Sequence, residues 1–433
     1  MNKKKIFISA TLLLIFLLSI SMFMGAYLYK HGYTTNLSHQ LEAWSNVLSN
    51  KINQTVQIEE NDKKNYINTN NYKFNFRKMT LPSMSRYGAL EVFDGNLLFI
   101  DGQGSLFEIG DNDTVGKIPL PKIATNSKDF NIEYGSNFPT FSIKDMVIGS
   151  KNGKTTMFLS SIGFDNKEKC YFMSVFSSRF TKINGVYEFS DFKNIFNSRP
   201  CLGRHPIPRG FWGQSSGGRL AYDEGFIYLS IGDFYFDGVN GQNILQSKDS
   251  DYGKILKIDP ISKVYQAVAQ GLRNPQGMAL TSIGLFETEH GPQGGDEFNL
   301  INLGKVENYG WPKATYGVDY GTKQWPLDEN NLNHNLNNFQ KPLYFWIPSI
   351  GISDLEYVEK NSSLRLWRGD FLISGMRAMS IYRMKMDKER QVIGVEEIPV
   401  GIRIRDIEIF NGKIYTLKDG EPVSIHIMQL VND

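Results

Sequence analysis

Apolar and polar positions follow three successive patterns along this 433-residue chain. Residues 6–29 form an uncharged run, mostly Ile, Leu, Phe and Met, behind Lys3, Lys4 and Lys5. About 20 apolar residues are enough to span a bilayer, and lysines ahead of a span keep that end in the cytoplasm. A cleaved signal peptide has a shorter apolar region and a small-residue cleavage site. Gly25-Ala26 is a poor match to such a site. The pattern predicts an uncleaved signal anchor over 1–36, with its transmembrane helix at about 6–29; cleavage after Ala26 is the alternative. Residues 37–56 then carry apolar side chains at 37, 41, 44, 47, 48 and 52, the period of an amphipathic helix. Residues 61–78 are polar and rich in Asn and Lys, so 37–78 is expected to be a helical stalk and polar linker.

From Met79 the period shortens to that of strands. LEVFDGNLLFIDGQGSLFEI (90–109), GRLAYDEGFIYLSIGD (218–233), GDFLISGMRAMSIYRM (369–384) and RDIEIFNGKIYTLKDG (405–420) each read strand, turn, strand. Asp94-Gly95 and Asn411-Gly412 are hairpin signals between alternating apolar residues. Such units recurring at irregular intervals suit propeller blades, and the length divided by four-stranded blades gives roughly six. The expected fold class is all-β, a six-bladed β-propeller over 79–433, preceded by the transmembrane helix and the short helical stalk.

Composition narrows the function. Charged residues are 21% and the net charge is +2, with no basic stripe, which speaks against a nucleic-acid partner. The two cysteines, Cys170 and Cys201, would lie in an oxidising space beyond the anchor and could pair. A buried free Cys170 in its apolar run reads equally well. No CxxCH occurs, which excludes attached c-type haem.

Three stretches could carry chemistry. FETEHGPQGGDEFN (286–299) crowds Glu287, Glu289, Asp296 and Glu297 around His290 with four backbone breakers. It is either a solvated turn or a bend that aims carbonyl oxygens at a hard cation. GLRNPQG (271–277) offers Arg273 and Asn274 in what is otherwise a β-turn signal. GIRIRD (401–406) puts Arg403 and Arg405 on one side of a strand. They are either a solvated pair neutralised by a neighbour such as Asp406 or a clamp for a carboxylated or phosphorylated ligand.

In this order, GLRNPQGMAL, EHGPQGGDEFNLI, NYGWP (308–312) and GIRIRD resemble the soluble aldose (glucose) dehydrogenases that use pyrroloquinoline quinone, together with their sorbosone dehydrogenase-like relatives. GGRLAY…IYLSIGD (217–233) and GKILKIDP (253–260) fit as well. The resemblance implies a six-bladed propeller with the quinone, a tricarboxylate, at one end of the channel. Arg273, Asn274, Arg403 and Arg405 match positions that hold it. Arg377 stands where the family has a lysine, and Trp346 falls in a segment lining the cofactor face. Gly291 and Pro292 match carbonyl ligands of a calcium ion at the quinone. Asp296 and Glu297, with Tyr309, match positions linked to a second, structural calcium.

The implied reaction is hydride transfer from an aldose or related sugar or polyol to the quinone, with a histidine taking the hydroxyl proton. This chain has Ser215 at that histidine's place, in GQSSGGR (213–219). A serine hydroxyl does not accept a proton near neutral pH, so His205, ten residues upstream, is a replacement candidate, with Asp233 and His290 behind it. The expectation is a membrane-anchored quinoprotein dehydrogenase with its domain on the outer, periplasmic or extracytoplasmic, side. It would use an electron acceptor that the sequence does not name, and a homodimer is compatible with it. The rival is a catalytically silent propeller that binds a carbohydrate or a protein partner. A lactonase-type hydrolase would need acidic metal ligands around the channel, where the motifs supply arginines.

Overall fold

The strand Asn96–Asp101 buries Leu97, Leu98, Phe99 and Ile100 completely, although a strand with one wet face should alternate. Its alternation runs between two cores instead. Leu97 and Phe99 join one hydrophobic cluster, and Leu98 and Ile100 join another. Phe371 and Ile373 part from Leu372 in the same way, as does Leu285 from Phe286. Each sheet is therefore covered on both faces by its neighbours.

The computed structural model describes residues 65–431, apart from 84–86, 111–113, 135–140, 204–213, 239–242, 319–333 and 335–337. Six sheets of four or five strands follow in chain order. We number them blades 1 to 6: 88–118, 143–197, 217–270 with 307–308, 275–301 with 344–346, 352–399, and 404–430 with 65–80. Six clusters fill the six interfaces between successive blades. The first strands, Gly88–Phe93, Ile143–Lys151, Gly217–Asp223, Pro275–Thr281, Ile352–Tyr357 and Ile404–Phe410, touch one another around a ring that closes on itself. Outer strands recover the ordinary alternation; Val392–Pro399 is exposed at every second position over most of its length.

The expected hairpins form. Asp94-Gly95 and Asn411-Gly412 have positive φ at both residues and close Phe93 on Asn96 and Phe410 on Lys413, as two-residue primed turns require. Cys170 and Cys201 are bonded to each other, which decides between the two readings of the cysteines. The anchor and stalk helix fall outside the described residues. Among the described residues no helix is long and apolar enough to cross a membrane, and the α-helix is Ser127–Tyr134.

One expectation is corrected. Within the expected linker, Asn65–Asn68 and Lys73–Thr80 are strands, and Lys73–Thr80 pairs antiparallel with the last strand, Ser424–Leu430. The start of the domain thus completes the sheet formed by its end. Asn and Lys dominate the composition, but Phe74 and Phe76 alternate within it. Phe74 is fully buried against Trp367, and Phe76 stacks on His426. Because Phe74 joins the core between blades 5 and 6, Phe74→Ala should cost about 3–5 kcal/mol. Denaturant unfolding followed by tryptophan fluorescence would read this as a lowered midpoint; an unchanged midpoint would mean that the strand does not close the ring.

Candidate active site

The ring of first strands leaves a central channel, and one side chain divides it. Arg219, in the first strand of blade 3, donates from Nη1 to Asp145 Oδ1 at 2.9 Å and Asp406 Oδ2 at 2.7 Å. Its Nη2 meets Asp354 Oδ1 at 2.6 Å, and its Nε donates to the Gln276 carbonyl at 2.7 Å. One guanidinium thereby joins blades 2, 3, 4, 5 and 6. A cavity lies on each side, about 440 Å³ and about 200 Å³, and Arg219 is the lining residue they share.

The smaller cavity is acidic. Glu91, Glu356 and Glu408 line it beyond the three aspartates. Burial, then Asp406 and Asp354, pushes Glu408 well above the usual carboxyl range. Burial also raises Asp145, to about 6, against the pull of Arg219. One arginine does not neutralise this many carboxylates.

The larger cavity is cationic. Arg403 and Arg405 lie at the start of the first strand of blade 6, with Asp419 between them. Asp419 accepts from Arg403 Nη2 at 3.0 Å and from Arg405 Nη2 at 2.7 Å. Burial opposes the charge on Asp419, but the Arg405 and Arg403 forks hold its carboxyl below the usual value. The neighbour expected to do this, Asp406, is committed to Arg219 instead. Arg405 also lies over the Tyr87 ring, 5.3 Å from its centre. Arg273 enters from the loop before blade 4, stacked over Trp311, and Lys144 enters from blade 2.

The glycine-rich bend is not a solvated turn. Glu287, Asp296, Glu289 and Glu297 are all buried, and each has a partner in the fold. The Glu289 carboxylate accepts the backbone N–H of Arg273 and that of Asn274 at 3.2 Å. Asn299 donates to Glu287 and Glu297. Asn274 Oδ1 in turn accepts the Gly217 N–H, which ties the RNPQ loop to the Ser215 turn. Burial pushes His290 down to about 4, so it is a neutral ring. A Cβ at Gly291 would sit 2.2 Å from the Gly294 oxygen, so the bend needs glycine there.

The cavity lining gathers Ser215, Arg273, Asn274, Gly291, Pro292, Arg403 and Arg405. Ser215 is 7% exposed with φ of 56°. Beneath it, Asp233 is fully buried and accepts the Tyr235 N–H and the Trp311 indole N–H. Burial raises the Asp233 carboxyl, while Arg273 and the Ser215 hydroxyl favour its charge. Trp346 and Arg377, expected at the cofactor, do not line the cavity, and neither do Asp296 and Glu297, expected at a second, structural calcium. Trp346 is packed edge-on against Tyr344 and Tyr382 in the core, because its place on the strand Tyr344–Trp346 turns it inward; Ser349 lines the cavity instead. Arg377 is exposed at a turn whose Met376 points into the cavity. Asp296 sits under the bend, accepting the N–H groups of Gly291 and Ile352 and the Ser349 hydroxyl, which braces the turn. Glu297 lies in the buried carboxylate group away from the cavity. His205 lies outside the described residues. Lys144, Asp419 and Tyr87 are lining residues that the motifs did not single out. Lys144 carried a signal, a lysine inside the apolar strand SIKDMVI (142–148).

The fold is a six-bladed propeller whose channel is split into an acidic and a cationic half, with motif residues gathered at the cationic end. The sequence profile of the glucose/sorbosone dehydrogenase family matches residues 164–427, more than half of the chain, and the chain belongs to that family. It is 28% identical over 252 residues to an aldose sugar dehydrogenase of Escherichia coli K12, covering 53% of this chain and 62% of that protein. It is 31% identical over 230 residues to an uncharacterised protein of Synechocystis, covering 48% and 54%. The matches thus span less than two thirds of these relatives' lengths. Among solved structures, a glucose dehydrogenase superposes with a TM-score of 0.66 at 20% identity, covering 82% of this chain and 99% of that one. The quinone-bound aldose sugar dehydrogenase of Streptomyces coelicolor gives 0.55 at 16%, covering 82% and 98%. These structural likenesses establish the fold.

The acidic cavity makes a prediction with a definite sign. A carboxyl raised in the folded state binds its proton more tightly there than in the unfolded chain. Its stability contribution is greatest below the unfolded value and is lost as pH rises towards the folded one. Glu408→Gln removes that penalty. It should raise the Tm by roughly 1–3 °C at pH 8 and change little near pH 4; a lowered Tm at pH 8 would show that the Glu408 charge is stabilising.

Proposed function

We propose that this protein is a quinoprotein dehydrogenase that oxidises an aldose or related polyol, with pyrroloquinoline quinone as cofactor. The observation that carries the reading is the convergence of Arg273, Arg403 and Arg405 on one cavity where Asp419 is the opposing carboxylate among the described lining residues. Planar guanidinium forks suit carboxylates, and the cofactor has three. Arg405, held over Tyr87 by stacking and by Asp419, is oriented before any ligand arrives, which lowers the cost of binding. When bound, the quinone supplies the two-electron acceptor for the hydride on the substrate carbon.

A Ca²⁺ ion belongs to the same reading. Gly291 and Pro292 would give it main-chain oxygens, and the remainder of its about six to eight ligands would come from the quinone and water. The Gly291 carbonyl accepts Arg273 Nη1 at 2.7 Å, and its second lone pair would serve the ion. Residues 6–29 would anchor the domain in a membrane with residues 65–431 on the outer side; the Cys170–Cys201 bond supports an oxidising compartment. A binding propeller without turnover is the second reading, and Ser215 is the residue that favours it.

Quinone binding followed by absorbance separates the first reading from a protein that does not use the cofactor. Arg405→Ala should weaken quinone binding by about 10- to 100-fold, the worth of one charge-assisted contact; unchanged affinity would remove Arg405 from the site. Dye reduction across an aldose panel separates turnover from silent binding. Ser215→His should leave turnover within a few-fold if another side chain already takes the proton, whereas a gain of about 10²–10⁴ would mean that the unaltered site lacks a base.

A further inference from the structure

The proposed oxidation needs a side chain to take the proton of the substrate hydroxyl, and Ser215 does not supply it. We infer that Lys144 is the proton acceptor of this cavity, an inference that rests on the dehydrogenase reading above. As the substrate O–H bond breaks, its proton forms an N–H bond on Lys144 Nζ. The oxygen lone pair becomes the second bond of the carbonyl, and the electron pair of the C–H bond leaves with its hydrogen as hydride to the quinone.

The other cavity-lining groups among the described residues are unsuited to this role. The arginines do not deprotonate in proteins. Asp419 is engaged by two of them and held below the usual carboxyl value, which makes it a weak base. His290 has its Nδ1 on the Asp296 side of the bend, 4.0 Å from Oδ1. Asp233 does not line the cavity.

Lys144 is placed for the task. It stands on the first strand of blade 2, one residue before Asp145, and lines the cavity with Ser215. Its stem lies against the Ser215 turn: a Cβ at Gly218 would sit 2.6 Å from Lys144 Cβ. The amine lies 4.7 Å from the centre of the Tyr87 ring, the ring that also carries Arg405. No carboxylate pairs with Lys144 among the described residues; its chain neighbour Asp145 is committed to Arg219. The charged and titratable groups that line the cavity with it are Arg219 from blade 3, Arg273 and His290 from blade 4, and Arg403, Arg405 and Asp419 from blade 6. Burial first, and then the Arg405 charge, lowers its pKa to about 7, so near neutral pH a large share of the amine is free to accept a proton.

Two measurements test this, one of them independent of cofactor and turnover. In the full-length protein without quinone, the pH dependence of Lys144 acetylation, mapped by mass spectrometry, should have its midpoint near 7; a midpoint near the ordinary lysine value of about 10.4 would overturn the inference. In the quinone-loaded protein, kcat/KM should rise with pH and level off above about 7. Lys144→Met and Lys144→Arg should each lose about 10²–10⁴ in turnover while quinone affinity stays within a few-fold. Lys144→Arg is the discriminating variant, because it keeps the charge and cannot accept the proton. If it retains turnover, Lys144 is a charge that positions ligands and the inference fails while the function stands. Quinone binding without turnover in the unaltered protein would also overturn the inference. Absence of quinone binding would overturn the dehydrogenase reading itself, and the inference with it.

Discussion

The structure depends on one guanidinium. Arg219 reaches Asp145, Asp354 and Asp406 and the Gln276 carbonyl, so a single side chain fixes five blades around the channel. A closed propeller has no strand running through its centre, and hydrophobic contact alone lets neighbouring blades slide. A buried, directional cation bonded to several inner strands removes that freedom. It also carries a cost: three carboxylates around one arginine leave excess negative charge away from water. Burial raises Asp145, Asp406, Asp354 and Glu408, and neighbouring carboxylates add to it at Asp145, Asp354 and Glu408.

The same residue separates two electrostatic environments. On one side the carboxylates repel anions; on the other, Arg273, Arg403 and Arg405 line the cavity with the buried Asp419. A tricarboxylate is favoured at the cationic end and excluded from the acidic one, so the fold has polarity along its axis before any ligand binds. The glycine-rich bend belongs to this arrangement. Glu289 holds the start of the RNPQ loop from within, and Asp296 holds Gly291. The acids around His290 set the backbone, and the backbone sets the site.

Much of this was legible in the sequence, and the gaps have physical causes. Asp94-Gly95 and Asn411-Gly412 announce their turns because only certain residues tolerate two successive positive φ values. Arg403 and Arg405 announce a pair because strand periodicity puts them on one side. Their counterion was not legible: Asp419 and Asp406 are both near in sequence, and only the fold decides that Asp406 serves Arg219. Strand pairing between 73–80 and 424–430 was hidden because the two segments are far apart and the first has a polar composition. Trp346 and Arg377 were misplaced for another reason. A motif gives the position of a residue, but the direction of a side chain at a strand end or turn depends on local backbone geometry.

A crystal structure of the protein with pyrroloquinoline quinone and Ca²⁺ would test the central claim most directly. The quinone should lie in the larger cavity, with carboxylates on Arg403 and Arg405 and the ion on the oxygens of Gly291 and Pro292. A quinone bound elsewhere, or a cavity filled only by water at saturating quinone, would contradict it.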